Sequence, residues 1–151
     1  MREQKGFTIL LAALVASLVL SLGISVFSIA QKQLVLASTG RNSQYAFYAA
    51  DTAAECALFW DVRHNFASTT DPITPITCAD DVGIVVAHTD LLSFPITFDF
   101  EFEPNGYCAH VTVIKNTVHP RTLIRADGFS VACDAIESSS RTLQRSVELS
   151  Y

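Results

Sequence analysis

No proline precedes Pro72. Proline is the residue that removes a backbone donor and clashes with the preceding turn, so nothing upstream of it forces a helix to end. Charge is missing too: residues 7–30 read FTILLAALVASLVLSLGISVFSIA, without one Asp, Glu, Lys or Arg. At about 1.5 Å per residue a helix of that length rises roughly 36 Å, enough to cross a hydrocarbon core of about 30 Å with some tilt. Such a run is rare as the buried helix of a small soluble domain. There is no basic cluster, the aromatic residues are not interleaved with Lys or Arg, and the formal net charge is −5. That combination argues against a nucleic-acid surface. No GxSxG, HExxH or P-loop pattern occurs, so the chain is read as a non-enzyme without a cofactor.

Cysteine is scarce but placed with pattern. Cys56, Cys78, Cys108 and Cys133 all follow the apolar run. An even number beyond a membrane anchor points to two disulfides in an oxidising compartment. Close CxxC or HxxxH pairs are absent, which argues against zinc. Four cysteines allow three pairings. The expected one is Cys56–Cys78 with Cys108–Cys133. Cys56 lies on a helix face and Cys78 in the proline-containing segment that must fold back. Cys108 opens the second strand of a hairpin, and Cys133 follows the third strand. Each closed loop is of moderate length, worth about 3 kcal/mol by constraining the unfolded chain.

The start of the chain, MREQKG, carries Arg2 and Lys5 against Glu3, a bias too small to set topology alone. A secretory signal peptide fits poorly, because helix-compatible sequence continues well past residue 30 with no prompt small-residue cut site. The junction Lys5-Gly6-Phe7-Thr8-Ile9-Leu10 instead resembles the processing site of type IV prepilins. That resemblance implies a leader, residues 1–6, removed by a prepilin peptidase between Gly6 and Phe7, and N-methylation of the new terminal Phe7. Gly6 suits such a cut because it lets the leader lie extended where a helix would resist cleavage. Shaft-forming pilins carry glutamate five residues after the cut, where it is thought to meet a neighbour's amine. Here Leu11 stands in that place. The segment 42–55, NSQYAFYAADTAAE, is similar to the AFxAAEA stretch of PilX-type minor pilins, with Asp51 in place of the usual glutamate. The two likenesses cover about the first sixty residues.

Beyond the span, the helix is expected to continue to about residue 61, with Gly23 and Gly40 as weak points costing about 1 kcal/mol each. Tyr45, Tyr48 or Ala49, Thr52, Cys56 and Phe59 or Trp60 recur at helical spacing, a face expected to bury against a sheet, with alanines beside it. Residues 66–81 read as loop, and 83–87 as a short strand. From Pro95, Ile96, Phe98, Phe100 and Phe102 alternate with Thr97, Asp99, Glu101 and Glu103. This is a period-two strand with one phenylalanine face buried and one acidic face wet. Pro104-Asn105-Gly106 marks a turn, 107–115 a returning strand, 121–126 a third and 147–151 a last one. The expected fold is therefore α+β: a long N-terminal α-helix packed on a small antiparallel β-sheet head. The divisions are leader 1–6, membrane or filament-core helix 7–30, amphipathic continuation 31–64 and extracytoplasmic β-rich head 65–151.

His64, His88, His110 and His119 are scattered singly and read as solvated or satisfied residues. Asp80, Asp81 and Asp90 lack the ladder of oxygen ligands that a calcium loop needs, and Ser138-Ser139-Ser140 reads as loop without a basic partner. The resemblance implies a minor pilin-like structural subunit at or near a filament tip, single-pass in the cytoplasmic membrane before assembly. Its partners would be other pilins through the N-terminal helix, and the prepilin peptidase and methyltransferase. A pseudopilin of a type II secretion or DNA-uptake system is the alternative within the superfamily. A membrane-tethered extracytoplasmic binding module is the alternative outside it.

Overall fold

The structure is a computed structural model that describes residues 4–151; of the expected leader, residues 1–3 lie outside the described residues. Helix α1 spans Gln4–His64 and passes through Gly23 and Gly40 without a break. The chain divides into two compact units, Met1–Gly40 and Arg41–Tyr151. The first is helix alone, with Leu18, Leu22, Val26 and Phe27 all exposed. In the second, residues 41–64 of α1 pack on a five-stranded antiparallel sheet.

That sheet is a meander of β3 (Ala87–His88), β4 (Ile96–Phe102), β5 (Ala109–Lys115), β6 (Thr122–Phe129) and β7 (Gln144–Ser150), adjacent in that order. Strands β1 (Ile76–Cys78) and β2 (Asp81–Ile84) form a separate hairpin. The period-two pattern of β4 places Ile96, Phe98, Phe100 and Phe102 inward and leaves Thr97, Asp99 and Glu101 on the outer face. The register then sets the shape of the core. Phe98 faces Val113, which faces Ile124; Phe100 faces Val111, which faces Ala126; Phe102 faces Ala109, which faces Gly128. Side chains shrink from β4 to β6, and shrink most in the row that ends at Gly128.

The helix uses that slope. Ala46, Ala49, Ala50, Ala53, Ala54 and Ala57 are buried, and the helix comes down on β6 until backbone meets backbone. A Cβ on Gly128 would overlap the carbonyl oxygen of Ala46 and the amide nitrogen of Ala50, and would lie 3.0 Å from Ala50 Cα. From Ala46 to Asp61 the helix rises about 22 Å, and from Gly128 to Thr122 the strand covers about 20 Å. Helix and strand thus run in line, and the end of the helix arrives over Thr122.

The helix stops at an αL cap. Asn65 takes φ 52° and its amide donates to the Asp61 carbonyl at 3.1 Å, a conformation asparagine tolerates better than most residues. Phe66 then turns in, fully buried, edge-to-face with Phe98 and Phe100 at centroid distances of 6.4 and 5.9 Å.

Several sequence expectations change here. The expected stripe of α1 buries only in part: Ala49 is in the core and Cys56 and Trp60 pack half-buried against it. Tyr48 and Phe59 are more than half exposed, and the stripe lies along the flank, where Tyr45 stacks on Tyr107 and the Trp60 indole donates to the Thr77 carbonyl at 2.7 Å. Only alanine is small enough for the close approach, so alanines take the sheet-facing positions. The expected loop 66–81 contains β1, and the expected strand 83–87 is divided between β2 and β3. Strands β6 and β7 are longer than the alternation indicated.

Gly128→Ala is expected to destabilise the head by about 3 kcal/mol or more, because neither the strand nor the helix backbone can yield. A denaturant titration of the full chain in micelles reads this directly. A loss below about 0.5 kcal/mol would mean that the helix lifts freely from the sheet.

Candidate functional site

In the first unit the functional surface is the helix itself. An 18-residue window of α1 has a mean hydropathy of 2.6, and none of it is buried. Four serine hydroxyls interrupt the apolar run, and each is met within the helix. Ser17 donates to the Leu14 carbonyl at 2.8 Å, Ser21 to Leu18 at 2.9 Å, Ser25 to Ser21 at 2.9 Å and Ser28 to Ser25 at 2.8 Å. Satisfied internally, these groups cost little in a medium without water. Gly6 and Phe7 fall within the first two turns of α1; the Phe7 side chain is exposed, as is Leu11. By length and composition this single helix is fit to cross a membrane once.

In the second unit the structure brings both expected cysteine pairs together. Cys56 is bonded to Cys78 and Cys108 to Cys133. The first bond, with the Trp60 indole beside it, fastens the β1–β2 hairpin to the flank of α1. The second fastens the segment after β6 to the start of β5, where the Cys108 amide donates to the Val131 carbonyl at 2.7 Å and the Cys133 amide to Glu103 Oε1 at 2.6 Å.

The candidate metal ligands are not assembled. Asp81 Oδ2 accepts from the Glu103 amide at 3.1 Å and Asp90 Oδ1 from the Leu92 amide at 3.0 Å, so both carboxylates serve turns. Among the described residues, the grouping that meets ligand distances is Glu101, Cys108 and Cys133, and its two sulfurs are bonded to each other. The histidines stay apart: His64 lies against Trp60 at 4.7 Å, the ring of His88 lies 5.9 Å from Phe98, and His119 is exposed in a turn. His110 stands on the outer sheet face, with Glu101 and Asp127 its register partners on either side. Burial alone would push the Asp127 carboxyl up, but hydrogen bonds from Ser146 and Gln144 and the Arg125 guanidinium outweigh it and hold that carboxyl below its ordinary range.

One polar cluster escaped sequence reading. Lys115 Nζ donates to both carboxylate oxygens of Asp61, at 2.8 and 2.6 Å, and to Thr122 Oγ1 at 3.0 Å. The Tyr151 hydroxyl donates to Asp61 Oδ2 at 2.5 Å. Asp61 is buried and Lys115 nearly so. The group closes on itself, with its charges paired and its donors spent. It therefore acts as a clamp that joins the end of α1 to β5, β6 and the residue after β7, and offers no free acid or base. Residues so far apart in sequence carry no local signal that could have joined them.

Burial, together with the neighbouring Asp61 carboxylate, raises the Tyr151 phenol well above its ordinary value of 10.0. Below about pH 10 the phenol is neutral in both folded and unfolded chains and its contribution is constant. Above that pH the unfolded chain ionises and the folded one does not, so stability falls as pH rises. Denaturant midpoints should decline above about pH 10, and Tyr151→Phe should remove part of the decline. Asp61→Asn, which leaves Lys115 buried without its counter-charge, should cost about 3–5 kcal/mol near neutral pH.

Comparisons with protein-family models, with curated proteins and with solved structures find no match to this chain.

Proposed function

We propose that this chain is a minor pilin-like structural subunit, held in the cytoplasmic membrane by α1 until it joins a filament, with its head outside the cytoplasm. One observation carries the reading: a single helix, Gln4–His64, supplies both a fully exposed apolar stretch and the alanine face that seats a disulfide-tied sheet. A helix whose apolar side chains are exposed all round needs lipid or other helices around it. Because the serine hydroxyls are already bonded within α1, neither environment leaves them unmet. Leaving lipid for a bundle of like helices thus requires no rearrangement of the span itself. Paired cysteines persist in oxidising compartments, which supports a head outside the cytoplasm.

Leu11 supports a minor rather than a shaft-forming role. A subunit with leucine there has no carboxylate to offer the amine of a neighbour, so it suits a position where that pair is not needed, such as a tip. Leader removal would fall between Gly6 and Phe7, followed by methylation of the Phe7 amine. Gly6 weakens the helix locally by about 1 kcal/mol, which eases the local unwinding that a peptidase needs.

Mass spectrometry of the N-terminus of protein recovered from its native membrane tests the reading. A peptide beginning at N-methylated Phe7 is expected, and Gly6→Val should block its appearance. Recovery of intact MREQKG on assembled protein would overturn the reading. So would long homopolymers formed by this chain alone, because a Leu11 subunit should need partners to extend a filament.

A further inference from the structure

On the flank of α1, a cavity of about 290 Å³ opens between the helix and the β4–β5 turn. Tyr45, Tyr48 and Thr52 line it from the helix, and Pro104, Asn105 and Tyr107 from the turn. No lining residue is charged, although the chain carries a net charge of −5. An ionic ligand would find no counter-charge there, so a neutral one is favoured.

The aromatic lining is tyrosine throughout. The rings of Tyr45 and Tyr107 are stacked, with centroids 4.7 Å apart and planes at 16°. Tyr48 is 62% exposed and makes only an edge contact, with Phe47 at 6.1 Å, so its ring is open to a further stacking partner. Among the described residues, the hydroxyls of Tyr45, Tyr48, Tyr107 and Thr52 and the side-chain amide of Asn105 have no hydrogen-bond partner within the protein. Apolar ring faces thus stand beside uncommitted neutral donors and acceptors.

The turn is held in shape. Asn105 has φ 56° and Gly106 φ 77°. The Gly106 amide donates to the Glu103 carbonyl and the Tyr107 amide to the Pro104 carbonyl, each at 3.2 Å. The Cys108–Cys133 bond follows at once. A site set on so constrained a turn is formed before any ligand arrives, which lowers the ordering cost of binding.

We propose that this cavity binds a neutral saccharide unit, its ring stacked on Tyr48 and its hydroxyls bonded by Asn105 and Thr52. A pyranose presents an apolar C–H face and a rim of uncharged donors and acceptors, the complement of this lining. The volume lies near the lower end of small-molecule sites and suits one or two sugar rings. An affinity on the order of 1 mM is expected for so few contacts. The proposal does not depend on the filament reading.

The test uses the full chain in lipid nanodiscs, free of sugar-based detergent. Saturation-transfer NMR is recorded with maltotriose, cellotriose and tri-N-acetylchitotriose to about 20 mM, well above the expected Kd, and with a proline-rich peptide as the rival occupant. At least one saccharide should saturate. Tyr48→Ala should weaken it tenfold or more, with the unfolding midpoint unchanged because that side chain is exposed, and Asn105→Gly, which keeps the left-handed turn, should do the same. Tyr48→Phe, which keeps the ring, should stay within about threefold. No binding of any of the three sugars, binding that survives Tyr48→Ala, or binding of the peptide alone would each overturn the proposal.

Discussion

Where α1 crosses β6 at Gly128, backbone meets backbone, and the whole head is arranged around that contact. The strand can carry nothing larger than hydrogen there, because a Cβ would meet the backbone of Ala46 and Ala50, whose own methyl groups are fully buried. Two consequences follow. The sheet must taper toward this row, which the series Phe102, Ala109, Gly128 accomplishes. The helix must send its large side chains sideways, which puts Tyr45 on Tyr107 and Trp60 on Thr77. Close packing of small residues yields many weak dispersion contacts and little buried apolar area per residue. The bulk of the apolar burial therefore falls to Phe66, Phe98, Phe100 and Ile124, next to the seam rather than in it.

The strand that was easiest to read in the sequence was β4, because strict alternation of phenylalanine with acidic residues admits one orientation only. The α+β plan and the meander follow from that strand, the turn signals after it and the absence of early proline. The buried face of the helix was misread for a reason of size. Aromatic residues bury the most apolar area and so mark a face as core, whereas alanine buries little, yet it was backbone proximity that decided which positions were buried. Strand β1 was obscured by Pro72 and Pro75 before it and by its shortness, and β2 was met only at its end; a covalent bond to α1 and the Trp60 indole hold the hairpin in place, not alternation. Gly128 hid the true length of β6, since a glycine within a strand reads as an interruption.

The pair Asp61 and Lys115 shows the limit of reading along the chain. Asp61 looks like one more polar residue near the end of a helix, and Lys115 like a charge closing a strand. Only the register that lays Thr122 beside Lys115, and the in-line run of helix over strand, bring them within 2.6 Å. Burying such a pair is seldom stabilising in itself, but once buried it makes any misplacement of the helix end costly. The clamp at Asp61 and the seat at Gly128 fix α1 at two points along β6, one by charge and one by shape.

The two disulfides close loops that follow one another without interlacing, from Cys56 to Cys78 and from Cys108 to Cys133. The exposed stretches 70–75 and 117–121 lie inside these loops, and 89–95 lies in neither. Exposed segments of this kind are where proteases cut first. A nick in either of the first two leaves the pieces tethered at high effective concentration, so the head can close again around the break. A nick in 89–95 leaves no covalent bridge across it, and the fragments stay together only as long as the sheet does. Fragmentation of the head is thus resisted covalently inside the two loops, whereas in exposed segments outside them, such as 89–95 and 137–141, it is resisted by the sheet alone.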